Sequence, residues 1–430
     1  MPLPITFGAA SARGFGLFSA LTAGGTSWIG LFGGTGGDQG AAVALDSFDN
    51  VYFVGYTDDT NIQLNKYNNL GVIQWQKSIG GTTIDYGWSV VIDNVDNIYI
   101  CGQTDSNSFQ VIKLNSVGTI QWQRILLGAS VNAAFSITLD SSNNLYVCGY
   151  STISASSNMQ IAKYNSSGTL QWQQRISGPL SSFAFGIAVD SSSNVYVTGT
   201  ADNNILILKY NSSGSLQWQR SIASAGDSSG RGAVVDSSGN IYICGYVYIS
   251  FNLYELVLLR YNSAGTFQWQ KSLGSSANEY GLSIAIDSSD NIYISGYVET
   301  SPGSTVFNCL IAKYDTSPNL QWQRTLSSSG SDYGFAITVD NSNNIYVCGA
   351  SNVSGTNDFL IAKLPDDGSL TGTYTVGGYS FTYAVSTLTD GTPSLTGSTT
   401  SYTSSTSSMT DQVSGLTATT SSYTSSVTNI

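Results

Sequence analysis

The chain has 430 residues, of which only 10% are charged, and it carries a net charge of −12. Such an acidic balance disfavours binding to the phosphate backbone, so we expect no nucleic acid as a partner. The chain contains no histidine, which removes the commonest general base and every Ser-His or Cys-His catalytic pair.

Residues 1–25 are rich in Gly, Ala and Ser and show no apolar period. We expect them to form an arm outside the repeats that follow, either docked to another protein or flexible. Residues 1–5 lack a basic region and a continuous apolar core, so a secretory signal is not predicted. The run Gly8-Ala9-Ala10-Ser11-Ala12-Arg13-Gly14-Phe15-Gly16 resembles the amino-terminal segment of structural proteins from marine tailed phages, and this resemblance implies a docking arm.

A tryptophan recurs along most of the chain at intervals of 46 to 53 residues. A period in this range is typical of a propeller or a solenoid. Six of the tryptophans stand in Gln-Trp-Gln and the first stands alone; we assign all seven a structural role between sheets. They are Trp28, Trp75, Trp122, Trp172, Trp218, Trp269 and Trp322.

Two further landmarks occur seven times each. Asp-x-x-x-Asn followed by an apolar residue and Tyr begins at Asp46 and recurs in every repeat, and an apolar run ending in Lys or Arg begins with the run to Lys66. Asp and Asn side chains close short hairpin turns by bonding their own backbone. An ion pair between the repeated basic residue and the repeated aspartate is predicted.

Each repeat divides into four short strands separated by turns, which predicts an all-β fold. The last repeat lacks a tryptophan strand, whereas Trp28 precedes any first strand. We therefore predict a seven-bladed β-propeller of four-stranded blades over residues 26–370, closed by the amino-terminal strand, which completes the last blade.

These landmarks resemble the SBBP β-propeller repeat family. The strings Gly334 to Asp340, Asn344 to Gly349 and Phe359 to Leu364 carry the resemblance. It implies the propeller fold and leaves the function open, because the matched residues build the blade.

The five cysteines are predicted to be buried structural thiols. Cys101, Cys148, Cys244 and Cys348 share one repeat position with Val54, Thr198 and Ser295 in the other blades, and Cys309 lies in an apolar strand. Interchange with Val, Thr and Ser indicates a small buried site. Equivalent positions in neighbouring blades are too far apart for a disulfide.

Residues 371–430 form a Ser/Thr-rich segment in which the long period stops. A hairpin is predicted over residues 373–388. The remainder is predicted to be a disordered tail, with ordering in an oligomer or on a partner as the alternative.

One face of the propeller is the candidate binding site. Loops entering the first strands share this face with loops linking second to third strands, and they bring acids and aromatic residues around one mouth. Aromatic rings beside carboxylates suit sugar recognition; the alternative is that Asp-Tyr-Gly only shapes the loop. The candidates are Asp85, Tyr86, Trp88, Phe135, Phe185, Arg231, Glu279, Tyr280, Asp332 and Tyr333.

The segment from Tyr246 to Tyr254 is longer and more aromatic than its counterparts and adds Tyr248, Phe251 and Tyr254 to the candidates. Exposed aromatic residues on a long loop indicate an adhesive patch. The alternative is a longer hairpin made by the two flanking strands.

Neither a metal nor a cofactor is expected, and no catalytic residue is assigned. Calcium requires six to eight oxygen ligands, and four of the seven aspartate turns replace the second acid with Ser, Asn or Gly. Asp85, Glu279 and Asp332 are candidates for a glycosidase pair, but no feature singles out an acid with a raised pKa.

We therefore hypothesise a non-enzymatic structural and adhesive protein of a phage particle, assembled in the host cytoplasm, whose propeller face binds a host surface glycan or protein. Its arm would contact other virion proteins, with the carboxy-terminal segment as a second candidate for such contacts. A homo-oligomer stays open, and membrane insertion is not expected. The alternatives are a bacterial cell-surface or exported interaction module and a polysaccharide-degrading enzyme.

Overall fold

The computed structural model describes residues 27–34, 36–57, 61–81, 84–104, 108–127, 131–153, 156–178, 180–224, 226–250, 253–393, 395–399, 403–406, 410–412, 417–420 and 424–429. Every regular element within these ranges is a β-strand. No helix in them has the length and apolar character needed to cross a membrane. The arm predicted at residues 1–25 lies outside the described residues.

Strand β1 (Trp28–Gly33) precedes the first complete blade. Blade 1 has β2 (Gln39–Leu45), β3 (Val51–Tyr56), β4 (Ile62–Tyr67) and β5 (Ile73–Gly80). Blade 2 has β6 (Asp85–Ile92), β7 (Ile98–Thr104), β8 (Ser108–Leu114) and β9 (Ile120–Leu127). Blade 3 has β10 (Asn132–Leu139), β11 (Leu145–Ile153), β12 (Ser156–Tyr164) and β13 (Leu170–Ser177).

Blade 4 has β14 (Ser182–Val189), β15 (Val195–Ala201), β16 (Asn204–Tyr210) and β17 (Leu216–Ala223). Blade 5 has β18 (Ser229–Val235), β19 (Ile241–Ser250), β20 (Leu253–Tyr261) and β21 (Phe267–Gly274). Blade 6 has β22 (Glu279–Ile286), β23 (Ile292–Glu299), β24 (Phe307–Tyr314) and β25 (Leu320–Ser327). Blade 7 has β26 (Asp332–Val339), β27 (Ile345–Ser351) and β28 (Asp358–Leu364).

The seven antiparallel sheets form a closed propeller, as predicted. Neighbouring first strands contact one another around the ring, from β2 through β26 and back to β2, so they line its axis. Strand β1 pairs with β28, placing Trp28 opposite Lys363, and thereby becomes the fourth strand of blade 7. The chain closes its own ring because this pairing joins its amino-terminal strand to its last blade.

The turn between the first and second strands is held by one aspartate in each blade. In blade 1, Asp46 Oδ1 accepts hydrogen bonds from the backbone N–H of Phe48 and Asn50, at 3.0 and 2.9 Å, and Oδ2 accepts from the Tyr52 hydroxyl at 3.1 Å. The same bonds recur at Asp93, Asp140, Asp190, Asp236, Asp287 and Asp340. The repeated Asp, Asn and Tyr therefore make one local network, which is why the motif recurs with this spacing.

The tryptophan of a fourth strand packs on the next blade. Trp28 stacks on Tyr67 of blade 1 with ring centroids 6.2 Å apart, and Trp172 stacks on Tyr210 of blade 4 at 6.3 Å. In the described chain, five of these indoles also donate from Nε1 to a carbonyl in the next blade's second turn. The acceptors are the carbonyls of Asn69, Ser166, Ser212, Ser263 and Asp366.

The repeated basic residue follows two arrangements. Lys66 lies 3.1 Å from Asp46 and Arg260 lies 3.7 Å from Asp236, so the predicted ion pair is present in blades 1 and 5. In blades 2, 3, 4, 6 and 7 the lysine ammonium instead reaches the same carbonyl as the indole does. The predicted pairing with the repeated aspartate is wrong there, because the carbonyl of the neighbouring blade lies within reach of the ammonium. Lys313 of blade 6 forms its ion pair with Asp366 of that neighbouring blade instead, at 3.3 Å.

A glycine in the second turn allows this close approach. Gly214 has a φ of +83°, and a Cβ added to it would lie 2.8 Å from the Trp172 ring of the preceding blade. Only glycine meets both demands, since it tolerates left-handed backbone and leaves room for the indole. Gly168, Gly265 and Gly368 occupy equivalent places.

All five cysteines are buried free thiols, as predicted. Burial raises the pKa of the Cys244 thiol to about 12. The thiols therefore belong to the cores between blades rather than to reactive sites.

The segment after blade 7 begins with a hairpin of β29 (Gly372–Val376) and β30 (Tyr379–Val385), as predicted. The following strands are β31 (Thr389–Gly391), β32 (Thr396–Thr399), β33 (Thr403–Thr406), β34 (Thr410–Gln412), β35 (Thr417–Thr420) and β36 (Thr424–Asn429).

The described strands within residues 379–429 form what we call the C-terminal belt. Strand β30 pairs with the outer strand of blade 6, β31 with that of blade 5, and β32 to β35 continue through blades 4, 3, 2 and 1. Strand β36 then pairs with β1 in blade 7 and contacts β29, so the belt encircles the propeller. The prediction of a disordered tail is wrong for the described residues, because the outer edge of each blade offers unpaired backbone groups to the segment.

The belt follows a seven-residue period that its Ser/Thr-rich composition conceals. A large apolar or aromatic residue precedes a threonine in each of seven heptads, one for each blade. These threonines are Thr382, Thr389, Thr396, Thr403, Thr410, Thr417 and Thr424. Phe381, Leu388 and Leu395, the first residues of three heptads, pack on the hydrophobic cores between blades 6 and 7, 5 and 6, and 4 and 5. The heptad therefore matches the step from one blade to the next.

Candidate binding face

A β-bulge near the start of each first strand determines which side chains reach the candidate face. The pairing register between first and second strands shifts by one residue in all seven blades. A bulge of this kind re-aims the extra side chain. The bulged residues are Ala41, Trp88, Phe135, Phe185, Arg231, Leu282 and Phe335, three of which the sequence already suggested as aromatic candidates.

The cross-strand pair two residues before the bulge carries an aromatic side chain in every blade. Where the first strand supplies a small or polar residue, the second strand supplies tyrosine; where the first strand supplies an aromatic residue, the second strand usually does not. The pairs are Gln39–Tyr56, Tyr86–Gln103, Ala133–Tyr150, Phe183–Thr200, Ser229–Tyr246, Tyr280–Tyr297 and Tyr333–Ala350. Each blade therefore contributes an aromatic ring at this position, from either its first or its second strand.

These side chains form a continuous series of contacts, which we call the rosette. It runs from Tyr56 in blade 1 to Phe335 in blade 7. Tyr86 stacks on Trp88 at 5.5 Å, Trp88 meets Phe135 at 6.1 Å, and Phe135 stacks on Phe185 at 5.3 Å between ring centroids. The rosette therefore crosses the boundaries between blades 2, 3 and 4.

Arg231 joins the two halves of the rosette. Its guanidinium carbon lies 4.0 Å from the centre of the Phe185 ring and 5.3 Å from that of Tyr246, and Nη2 donates to the Tyr246 hydroxyl at 3.0 Å. Cation–π contacts of this length are favourable. The series continues from Tyr246 to Tyr280 at 5.0 Å and from Tyr280 to Tyr297 at 4.8 Å.

Blade 7 completes the rosette. Tyr297 meets Tyr333 at 5.1 Å, and Tyr333 stacks on Phe335 at 5.4 Å with the ring planes 7° apart. All of these side chains are half-buried. They are held by one another and still present surface to solvent. Trp88 Nε1 and Arg231 Nε are buried and have no hydrogen-bond partner among the described residues.

The longer segment in blade 5 is a hairpin formed by β19 and β20, and β19 is the longest of the described strands, with ten residues. Tyr248 pairs with Tyr254 across β19 and β20, and Tyr254 stacks on Tyr280 at 5.6 Å. The alternative of an extended hairpin is therefore confirmed, and two of its three aromatic candidates adjoin the rosette. Phe251 lies outside the described residues.

The three candidate carboxylates do not face the mouth. Asp85, Glu279 and Asp332 are fully buried. The Gly81 N–H donates to Asp85 Oδ2 at 2.9 Å, and the Ser328 N–H donates to Asp332 Oδ2 at 2.5 Å. Each of these two carboxylates thus closes the loop that precedes its own strand. The expectation that the acids line the mouth is not met, because the loops use them internally.

Burial changes the proton affinity of two of these acids. It raises the pKa of Glu279 to about 7, where the neighbouring carboxylates of Glu255 and Glu299 raise it further and bonds from Ser275 lower it. Burial likewise raises the pKa of Asp332 to about 6, against hydrogen bonds from Ser351 and Ser328 that lower it. Glu279 Oε2 has no hydrogen-bond partner in the described chain. Among the described residues, no group of three or more Cys, Asp and Glu side chains is placed to hold a metal ion.

Comparison with known families explains the repeating part of this geometry. The SBBP family, a beta-propeller repeat, matches residues 74–110, 171–207 and 321–355. This chain therefore contains SBBP repeats. Each match begins in the tryptophan strand of one blade and runs into the next blade, so an SBBP repeat joins neighbouring sheets. Because a repeat begins in the fourth strand of one blade and continues in the next blade, the first repeat begins with β1. Strand β1 is therefore the fourth strand of blade 7.

Other likenesses are more distant. Over 116 residues the SBBP propeller is 28% identical to an uncharacterized WD repeat-containing protein of Acanthamoeba polyphaga mimivirus; the match covers 22% of this chain and 8% of the viral protein. A gluconolactonase from Xanthomonas campestris is 12% identical with a TM-score of 0.40, covering 60% of this chain and 83% of its own. Regucalcin, a calcium-binding protein from Agrobacterium tumefaciens, is 11% identical with a TM-score of 0.39, over 62% and 83%. At this distance neither lactonase activity nor calcium binding carries over to the SBBP propeller.

Sequence reasoning missed the tyrosines of the second strands. Tyr56, Tyr150, Tyr246 and Tyr297 each follow a glycine at the same place in the repeat. That Gly-Tyr dipeptide was a usable signal. It gained meaning only from the pairing register, which sets these residues opposite the first-strand positions.

Proposed function

We propose that this SBBP propeller is a non-enzymatic binding protein whose rosette recognises carbohydrate on a host cell surface. The observation that carries the proposal is the rosette itself, a contiguous and half-buried aromatic surface that reaches all seven blades. Aromatic rings stack on the apolar faces of sugars, while indole, phenol and guanidinium groups donate to their hydroxyls.

The buried carboxylates support the non-enzymatic part of the proposal. A glycosidase needs two carboxyl groups beside the scissile bond. Asp85, Glu279 and Asp332 instead lie beneath the surface, where Asp85 and Asp332 close their own loops. The rosette therefore offers binding chemistry without an accessible acid and base among these candidates.

We further propose that the protein is a surface component of a virus particle, with its arm and the face from which the arm leaves in contact with other virion proteins. Support comes from the phage-like run at Gly8 to Gly16. The C-terminal belt pairs with outer strands of its own propeller, so we assign these contacts to the arm and to the face from which it leaves. Proteomic analysis of purified particles tests this location, and absence of the chain from them would favour a bacterial surface or exported module.

Binding of the full chain to a glycan array and to host cells tests the recognition. Trp88→Ala and Arg231→Gln remove one ring and the single guanidinium of the rosette, and each is expected to weaken binding about tenfold or more. Phe267→Ala is the matched control, because it removes an exposed ring from the edge of blade 5 outside the rosette.

Equal binding by the rosette variants and the parent would place recognition elsewhere. Release of reducing sugars from host polysaccharide would support the degrading enzyme instead. If no form binds glycan while cell binding persists, the ligand is a host protein and the carbohydrate proposal fails.

A further inference from the structure

The face opposite the rosette, which we call the turn face, carries exposed apolar residues at the tips of its turns in blades 1 and 2. At the tip of the first turn these blades have Phe48 and Val95, which are 75% and 67% exposed. At the same place the other five blades all have serine: Ser142, Ser192, Ser238, Ser289 and Ser342. The turn itself does not require an apolar residue there, since serine serves in five blades.

The second turn departs from the repeat in the same two blades. Leu70 and Val117 are 55% and 63% exposed, and Val72 is 52% exposed. Their equivalents in the remaining blades are small or polar: for Leu70 they are Ser167, Ser213, Ala264, Ser317 and Asp367. Exposed apolar side chains at equivalent turns of two neighbouring blades favour an interaction site over a property of the fold.

A cavity of about 350 Å³ lies within this group of side chains, which we call the patch, between blades 1 and 2. Phe48, Trp75 and Val117 supply its apolar wall, and Asp46, Lys66 and Asp96 are among its polar lining. The volume is at the lower end of ligand pockets. Asn50, Gln74 and Ser116 complete the polar part of the lining, so the cavity offers hydrogen-bonding and charged groups beside its apolar wall.

The chain enters the propeller beside this patch. The Trp28 indole at the start of β1 donates to the Asn69 carbonyl at 3.3 Å, and Asn69 is the neighbour of Leu70 in the second turn of blade 1. Residues 1–26 therefore join the propeller on the turn face, next to the patch. An extended segment of this length reaches about 85 Å, far more than the patch requires.

The composition of residues 1–26 fits an apolar surface. They contain one charged residue, Arg13, and, besides Met1, seven large apolar ones: Leu3, Ile5, Phe7, Phe15, Leu17, Phe18 and Leu21. Segments that remain solvated are low in hydrophobicity and high in net charge. This segment has the opposite character and must bury apolar side chains to be stable in water.

We propose that residues 1–26 dock on the patch formed by Phe48, Leu70, Val72, Val95 and Val117. This docking places the segment on the turn face and leaves the rosette on the other face free. The proposal does not depend on what the rosette binds.

Limited trypsin digestion of the full chain tests the docking, because Arg13 is the one cleavage site in residues 1–26. The combined variant Phe48→Ser, Leu70→Ser and Val117→Ser places the residue of other blades at each tip, so the turns retain their chemistry. Cleavage after Arg13 is expected to accelerate about tenfold or more, since it follows the population of the undocked arm. Leu180→Ser, a 55% exposed position on the opposite face, is the control and should leave the rate unchanged.

Thermal unfolding of each variant shows that the propeller is intact when the rates are compared. Equal cleavage of the parent and the patch variant would overturn the proposal. Protection that appears only at high concentration, together with a dimer in light scattering that the patch variant lacks, would mean that a second copy covers the patch, and this too would overturn docking within one chain.

Discussion

The two faces of the propeller are built in opposite ways. On the turn face every blade repeats the same aspartate network, and most described blades repeat the bonds from Trp and Lys to the next blade. On the rosette face the backbone repeats, but the side chains change from blade to blade. The turn face therefore supplies the contacts that hold the ring together. The side chains of the rosette face can differ from blade to blade because the ring does not depend on them.

Removing the C-terminal belt is expected to cause the largest loss of stability. The belt pairs with the outer strands of the blades, which lie between the two faces. Truncation after Thr387 deletes β31 to β36 and leaves outer strands of six blades unpaired. Each lost pairing removes at least one hydrogen bond with a net contribution of about 1 kcal/mol, so the loss over six blades is about 6 kcal/mol or more. Chemical denaturation measures it, and an unchanged midpoint would mean that the belt does not hold the ring.

Two glycine substitutions, one on each face, are expected to lower the free energy of unfolding by different amounts. Gly214→Ala on the turn face meets both a left-handed φ and the Trp172 ring, so we expect it to lower the free energy of unfolding by about 3 kcal/mol. Gly303→Ala, in the loop between β23 and β24, meets the same kind of φ with nothing within 4 Å, and should lose only about 1 kcal/mol. Equal losses from the two substitutions would show that the contact between blades contributes nothing.

We expect the stability contributed by carboxylates to change with pH in opposite directions on the two faces. Burial alone would raise the pKa of Asp140 on the turn face, but hydrogen bonds from Asn144, Tyr146 and Ser142 outweigh it and lower that pKa below its usual range. Its contribution to stability is therefore complete above about pH 4 and is lost as the pH falls through the lowered value.

Glu279 acts in the other direction. Its pKa rises from 4.5 to about 7 on folding, so its contribution is complete below pH 4.5 and is lost as the pH rises through 7, a change of about 3 kcal/mol. Glu279→Gln should flatten the decline in melting temperature between pH 5 and pH 8. Asp332→Asn should flatten a smaller part of it, around pH 6. A parent protein with the same melting temperature at both pH values would contradict this assignment.

The smallest effect on stability is expected within the rosette. Arg231→Gln removes a cation–π contact and one hydrogen bond at a half-buried site, so the free energy of unfolding should fall by about 1 kcal/mol or less. The same substitution is expected to weaken ligand binding about tenfold. A large loss of stability with unchanged binding would reverse the roles that we assign to the two faces.

Much of the fold was predictable from the chain because its signals are local. Asp46 and Asn50 close a turn through bonds within five residues, and this chemistry repeats wherever the motif does. The strand that carries Trp28 precedes any first strand in the sequence, and the last repeat lacks a tryptophan strand. These local signals predicted that the Trp28 strand completes blade 7. The candidate site was predictable only in part: Trp88, Phe135 and Arg231 were found, but the buried position of Asp85 and the contribution of Tyr246 were not.

The sequence by itself determined the seven blades, the turns and the order of the strands, since each depends on residues close together in the chain. The tertiary structure decided which strands became neighbours, and with them the rosette, the buried acids and the belt. Tyr56 and Tyr86 come from adjacent blades and meet only when those blades pack together. The heptads of the belt likewise gain their partners from outer edges that exist only once the blades have formed.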